Sequence, residues 1–198
     1  DPSARMDRTG VAGIAKDGGT MDHVYLEDLY IHDIDGNLQD KHMDNGGIQF
    51  NVSKPTDESK TGIARYNDVK ITNCYVKDVK RAGIVVGYTY QHSKFNGAQI
   101  ADETVQKYGH TNIYIADNYV QNSGNDAIVA MYAYRPVIER NISDTAGVDL
   151  DDGYAGYWQS FCATIWPWKT KDAVFQYNEA FDTVGEGNGD GQAWDIDW

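Results

Sequence analysis

Three carboxylates and two tryptophans fall within the last nine residues of the chain: Asp190, Trp194, Asp195, Asp197 and Trp198. Asp195 and Asp197 are two positions apart in a segment with strand character, so their side chains share one sheet face about 6.6 Å apart. Hydrolysis of a glycosidic bond requires two carboxyl groups roughly 5–10 Å apart, and aromatic rings beside them can hold a sugar. We therefore predict an active site here, with Asp190, Asp195 and Asp197 as candidate catalytic residues.

The chain contains 14 tyrosines and five tryptophans against five phenylalanines. Tyrosine and tryptophan rings combine a large apolar face with a polar edge, which suits a surface that binds sugars in water. The predicted substrate-binding residues are Trp168, Trp194, Trp198, Tyr132 and Gln192.

The charge of the chain restricts its partners. A formal net charge of −13 over 198 residues argues against nucleic acid, whose phosphate backbone requires a basic face. No run of about 20 apolar residues occurs, so we expect no membrane span in this chain. Two cysteines, Cys74 and Cys162, cannot build a disulfide framework, and we predict buried free thiols.

Two other groups of residues suggest different chemistry. Asp149, Asp151 and Asp152 precede a glycine in a loop-like segment and could hold a structural Ca²⁺ ion, although their spacing is not that of an EF-hand. Arg135 and Lys169 follow aromatic segments, and a polysaccharide lyase or epimerase would need such a base. A pair of carboxylates needs no cofactor for hydrolysis.

An internal repeat determines the predicted fold. Five segments share alternating apolar positions followed by Asn or Asp, which is the pattern of a strand that ends in a turn. They begin at Val24, Val69, Ile113, Val137 and Val174 and close at Asp28, Asn73, Asp117, Asn141 and Asn178, which we expect to stack at one corner. Because the starting positions are unevenly spaced, between 24 and 45 residues apart, the repeat indicates a solenoid rather than a sandwich.

A second strand that starts with a small residue follows each of these segments. We expect one column of side chains to point into the coil: Ile48, Ile84, Ile128, Thr164 and Trp194. The next column would then point outward: Gln49, Val85, Val129, Ile165 and Asp195. Insertions at Asn37–Asn45, Thr89–His110 and Gly147–Phe161 would form the walls of a site on the outward face. A short helix is expected from Ala101 to Tyr108.

The sequence thus predicts an all-β chain, a right-handed parallel β-helix of about five coils forming a single domain over residues 1–198. Its last strand would expose unpaired backbone N–H and C=O groups. An uncapped solenoid end of this kind promotes aggregation. We therefore expect an incomplete piece of a longer β-helix, completed by further polypeptide from a continuation or from a second chain.

The repeat and the tail resemble the β-helix enzymes of gut bacteria, and most closely glycoside hydrolase family 136, the lacto-N-biosidases. The resemblance is carried by Tyr30-Ile31-His32-Asp33-Ile34-Asp35-Gly36-Asn37, Asn45-Gly46-Gly47-Ile48, Gly124-Asn125-Asp126-Ala127-Ile128-Val129, Phe175-Gln176-Tyr177-Asn178-Glu179-Ala180 and Asp190-Gly191-Gln192-Ala193-Trp194-Asp195-Ile196-Asp197. It implies a bacterial enzyme, extracellular or at the cell surface, that releases galactosyl-β-1,3-N-acetylglucosamine from milk-type oligosaccharides.

The resemblance also implies roles for the tail residues. The catalytic aspartates of that family lie seven residues apart, a spacing that Asp190 and Asp197 share. In a retaining mechanism Asp190 would be the acid/base and Asp197 the nucleophile, with Asp195 able to take either role. A lyase or epimerase on the same fold and a non-catalytic glycan-binding β-helix stay open as alternatives, because a fold alone does not determine a function.

Overall fold

A computed structural model of the chain describes residues 6–36, 45–97, 99–148, 162–184 and 190–196. The strands in these residues are Thr9–Ala15 (β1), Thr20–Glu27 (β2), Tyr30–Ile34 (β3), Gly46–Val52 (β4), Arg65–Thr72 (β5), Tyr75–Val79 (β6), Ala82–Tyr88 (β7), His110–Ala116 (β8), Tyr119–Ser123 (β9), Ile128–Met131 (β10), Ala133–Tyr134 (β11), Val137–Glu139 (β12), Ile142–Ala146 (β13), Ala163–Trp168 (β14), Val174–Gln176 (β15), Glu179–Thr183 (β16) and Gln192–Trp194 (β17). Two short helices, Glu58–Thr61 (α1) and Asp102–Tyr108 (α2), and a 3₁₀ turn at Ser93–Phe95 complete the elements. The helix α2 confirms the sequence prediction for that segment.

The strands form three parallel sheets that run the length of the molecule. Sheet A has the order β1-β4-β7-β10-β14-β17, sheet B has β2-β5-β8-β12-β15, with β11 also paired to β8, and sheet C has β3-β6-β9-β13-β16. Each coil contributes one strand to each sheet in the same sequence, so the described residues make five coils and the start of a sixth. The predicted parallel β-helix is confirmed.

The core is a set of aliphatic columns inside the coils. In sheet A the column Ile48, Ile84, Ile128 and Ile165 is paired from strand to strand and is at most 1% exposed. Full burial of each such side chain stabilises the fold by roughly 1.5–3 kcal/mol. Each coil therefore depends on the coils above and below it to bury its apolar residues.

The register corrects the predicted faces of sheet A by one residue in the fifth coil. Ile128 pairs with Ile165, not with Thr164, and Ile165 in turn pairs with Trp194. The Thr164 hydroxyl instead bonds the Thr183 hydroxyl of sheet C at 2.7 Å. A polar residue thus stands at the corner before the apolar column begins, which the alternating pattern alone could not reveal. The outward column is Gln49, Val85, Val129, Trp166 and then Asp195.

The predicted corner is present, but its five residues do not form one stack. Asp28, Asn73 and Asp117 occupy equivalent left-handed positions, with φ of 57°, 54° and 58°. In the next two coils Arg140 and Tyr177 hold those positions, with φ of 53° and 57°. Asn141 and Asn178 come one residue later in the coil, because the pairing of β12 with β8 starts at Val137 with Tyr114 rather than with Ile113.

Asn141 and Asn178 continue a separate, inner ladder that starts at Asn118. Asn118 Oδ1 accepts the Cys74 N–H at 3.0 Å, Asn141 Oδ1 accepts the Asn118 N–H at 3.1 Å, and Asn178 Oδ1 accepts the Asn141 N–H at 2.9 Å. Each amide nitrogen also donates to a backbone carbonyl of the sheet B strand in the preceding coil at 2.9 Å. The ladder satisfies backbone groups that would otherwise be buried without partners.

Cys74 and Cys162 are free and buried, as predicted. No helix within the described ranges is long and apolar enough to cross a membrane.

Candidate active site

The outward face of sheet A is buried in the second, third and fourth coils and becomes accessible again at the end of the sheet formed by β14 and β17, here called the lower end. In β4 and β7 every residue is buried on both faces, and the same holds for β10. In β14 the outward Trp166 and Trp168 are half-buried, whereas the inward Ile165 and Pro167 are buried. The fifth coil therefore carries two partly exposed tryptophan rings on the outward face of β14, the strand that pairs with the tail strand β17.

The register of the tail strand places one carboxylate, Asp195, at the position next to Trp166. Because Ile165 pairs with Trp194, Trp166 and Asp195 follow at neighbouring positions of adjacent strands, which are about 4.8 Å apart in a sheet. Asp190 is exposed and Asp195 is half-buried, with its Oδ1 accepting the Ile196 N–H at 2.8 Å. Asp197 and Trp198 lie outside the described residues, so the pairing of Asp190 with Asp197 stays a prediction.

The predicted platform residue Trp194 lies in the inward column and not on the outward face. Its ring is 47% exposed because the coil is open at this end. With Ile165, Pro167 and Phe175 it lines a mainly apolar cavity of about 670 Å³. Gln192, the other predicted contact of this strand, is half-buried, and its amide oxygen accepts the Gly191 N–H at 2.9 Å.

Tyr132 does not present its ring to solvent. The side chain is fully buried, with its ring stacked on Phe95 at 4.5 Å between centroids and tilted against Trp168 at 5.3 Å. Burial raises the pKa of its hydroxyl to about 12. The insertion between β7 and β8 supplies Phe95 and covers this ring, which corrects the prediction of Tyr132 as a sugar platform, because a buried ring offers no surface to a sugar.

Lys169 and Arg135, the bases that a lyase would need, are both engaged. Lys169 is buried, and its Nζ donates to the carbonyls of Phe95 at 2.8 Å and Gly97 at 3.2 Å. This ammonium group therefore fixes the insertion beside Trp168. Arg135 pairs with Asp172 at 3.2 Å.

A buried carboxylate lies at the start of the same face, in the residues that precede β10. Asp126 is 1% exposed, and its Oδ1 accepts the Ala163 N–H at the start of β14 at 3.0 Å. Burial raises the pKa of this carboxyl to about 6, and the nearby Arg81 partly opposes that rise. Asp126 and Trp166 are thus two polar residues of this face that the sequence did not single out. The position of Asp126 just before a repeat strand was the signal available for it.

No group of three or more His, Cys, Asp or Glu side chains that could hold a metal ion occurs in the ranges that the structure covers. The aspartates predicted for Ca²⁺, Asp149, Asp151 and Asp152, lie outside those ranges.

Known proteins resemble this chain over nearly its whole length. No family profile matches it. A lacto-N-biosidase of Bifidobacterium longum subsp. longum is 46% identical over an alignment of 214 residues that covers 99% of this chain and 13% of that protein. Native and selenomethionine crystal structures of the GH136 lacto-N-biosidase from Eubacterium ramulus superpose with a TM-score of 0.84 at 45% identity, covering 97% of this chain and 33% of theirs. The chain therefore spans about a third of the solved relative and a smaller part of the Bifidobacterium protein.

Proposed function

The chain matches the lacto-N-biosidases of glycoside hydrolase family 136 in sequence and fold along nearly its whole length, and on that premise we propose that it carries a glycosidase site. The observation that supports this most directly is the group of tryptophan and aspartate side chains at the lower end of the outward face of sheet A. There the half-buried Trp166 is level with Asp195, the half-buried Trp168 follows two residues later on the same face, and the exposed Asp190 is within the same tail. Rings next to carboxylates provide both a sugar-binding surface and acid–base groups.

We assign the retaining mechanism to Asp190 and Asp197. Asp197 attacks the anomeric carbon and forms a glycosyl-enzyme, while Asp190 protonates the leaving oxygen and then activates water. Asp195 is the alternative for either role. The lyase alternative has less support, because Lys169 and Arg135 are both occupied by other partners.

The test is product analysis with the chain in its complete protein. With a lacto-N-tetraose-type substrate we expect release of galactosyl-β-1,3-N-acetylglucosamine, first in the β-anomeric form because a retaining enzyme conserves the configuration. Anomer-resolved NMR during the first turnovers measures this. A polyuronate substrate that instead gave an ultraviolet-absorbing unsaturated sugar would establish a lyase. Binding of the oligosaccharide without any cleavage would establish a glycan-binding module.

Two further properties belong to the same proposal. The hydrolysis requires no cofactor, since both carboxylates act directly, and any Ca²⁺ at Asp149, Asp151 and Asp152 would be structural. We also propose that the protein works outside a bacterial cell or at its surface, where milk-type oligosaccharides occur.

We propose that further polypeptide covers the lower end of the coil stack as another β-helix coil. Three features of the described residues support this: β15, β16 and β17 pair with no further strand on their outer side, Trp194 and Phe175 line an apolar cavity, and the inner ladder has its last rung at Asn178. Since the upper rungs of that ladder each accept from the coil above, the next coil is expected to carry a side-chain oxygen below Asn178.

An uncovered end of this kind is expected to make the chain self-associate. Light scattering of the chain on its own should show a mass that rises with concentration, and Ile196→Lys should suppress that rise because Ile196 is 83% exposed at the open end. Ile14→Lys is the matched control, since Ile14 is 66% exposed on the outward side of β1. A chain that stays monomeric at high concentration would contradict the proposal.

A further inference from the structure

We propose that Asp126 is a positioning residue that holds the Trp166 indole in place beside the tail carboxylates. The inference rests on the proposed function for its catalytic consequence, but the contact itself does not depend on it. Trp166 pairs with Val129 in the coil that carries Asp126, and the register of β17 places Asp195 next to Trp166 in the following coil, so the orientation of the indole affects what a sugar meets next to Asp195.

Asp126 is connected to Trp166 through the strand β14. Its Oδ1 accepts the Ala163 N–H at 3.0 Å, which fixes the first residue of the strand that carries Trp166 three positions later. The carboxyl is 1% exposed. A buried carboxylate that fixes the start of one strand also limits how that strand can shift along its neighbours.

The second oxygen of Asp126 and the Trp166 indole form a complementary pair. Asp126 Oδ2 and Trp166 Nε1 are both buried, and neither makes a hydrogen bond of good geometry to any residue that the structure describes. The indole N–H is nevertheless close enough to stabilise the charged form of the carboxyl. A buried donor and a buried acceptor without partners are costly, and a small rotation of the indole would complete a charge-assisted bond. Contacts of this kind commonly tighten when substrate stacks on the ring.

The charged and titratable groups around Asp126 come from three elements. Arg81, next to β7, lowers the pKa of the carboxyl, whereas burial raises it to about 6. Cys162, next to β14, is a thiol whose pKa is raised well above its usual value by burial, with smaller contributions from Asp126 and from Asp190 of the tail. The carboxyl therefore changes charge between about pH 5 and 7, where the thiol stays neutral.

The same shift predicts that Asp126→Asn will fold. A raised pKa means that the folded state prefers the neutral carboxyl, so the charged form costs stability above about pH 6 and that cost disappears as the pH falls. The neutral amide of Asn removes this cost and can still accept the Ala163 N–H through its oxygen. An effect of Asp126→Asn can therefore be assigned to the lost charge and not to unfolding of the chain.

The contact is tested on the chain labelled with ¹⁵N at its tryptophans. The indole N–H signal that Trp166→Phe removes is expected to move with pH, with a midpoint near 6, and to become independent of pH in Asp126→Asn. The signal removed by Trp168→Phe is the control and should show no such transition. A Trp166 signal that titrates equally in Asp126→Asn, or that does not titrate in the unsubstituted chain, would overturn the proposal.

The catalytic consequence is tested separately in the complete protein. Asp126→Asn is expected to raise KM for the oligosaccharide by about 10-fold, the effect of losing one charge-assisted bond, with a smaller change in kcat. It should also remove a limb near pH 6 from the profile of kcat/KM. Indole titration together with an unaltered KM would overturn the positioning role while leaving the contact. Absence of any activity in the unsubstituted protein would instead count against the proposed function.

Discussion

Replacing Asp190 or Asp197 with Asn is expected to lower kcat for disaccharide release by about 10²–10⁴-fold or more, because each change removes a general acid or a nucleophile and keeps the shape of the side chain. Sugar binding on Trp166 and Trp168 should survive, so KM should change far less than kcat. Steady-state kinetics on a lacto-N-tetraose-type substrate measure both constants.

The two variants should also differ from one another. An aryl glycoside with a good leaving group departs without being protonated, so it compensates for loss of the acid but not for loss of the nucleophile. Such a substrate should therefore rescue Asp190→Asn more than Asp197→Asn. Asp33→Asn is the matched control, since Asp33 is an exposed residue of β3 in the first coil with φ of 54°, a conformation that Asn tolerates. Near-full turnover in both tail variants would move the catalytic assignment to Asp195 or favour the glycan-binding alternative.

Tyr132→Ala is expected to destabilise the chain by about 3–5 kcal/mol, because it removes a fully buried ring and leaves a cavity among Phe95, Tyr88 and Trp168. For a chain of this length a loss of that size lowers Tm by about 10 °C. Thermal or urea unfolding followed by circular dichroism measures the change.

Tyr132→Phe separates packing from polarity at the same position. The buried hydroxyl makes no well-aligned hydrogen bond within the described residues, so its removal should be neutral or slightly stabilising. Tyr177→Ala is the surface control, since Tyr177 is 77% exposed, and should change stability by no more than about 0.5 kcal/mol. A stability loss in Tyr132→Phe comparable to that in Tyr132→Ala would contradict the account of this core.

The fold could be predicted because its signal is repeated. The apolar positions of β5 and β8, and the small residues that open β4 and β7, recur often enough to define the coil even where single positions mislead. The register of one coil carries no such redundancy. Thr164 fits an apolar column by its place in the alternation, and only its bond to Thr183 shows that the column begins at Ile165.

The candidate site was less predictable because the exposure of its residues depends on contacts with distant segments, and no repeat in the sequence reports those contacts. Whether a ring is a platform or part of the core depends on what packs over it, and the cover of Tyr132 comes from Phe95, 37 residues earlier in the chain. The sequence pattern of a strand shows which face a side chain is on, but not which insertion lies above that face. Asp126 illustrates the converse case, since burial of an apparent turn residue also depends on distant segments.

Among the described residues the inner ladder runs from Asn118 to Asn178, and the arrangement of coils beyond it has a consequence for cooperativity. An interior strand of sheet A such as β7 pairs on both sides, whereas in the described residues β17 pairs with β14 on one side. In a chain whose stability is a sum over such neighbours, opening of a unit with one neighbour takes less free energy than opening of an interior unit. The tail carboxylates would therefore sample closed and frayed states, and whatever seals the lower end would shift that equilibrium. Turnover at this site would then report how completely the stack below it has formed.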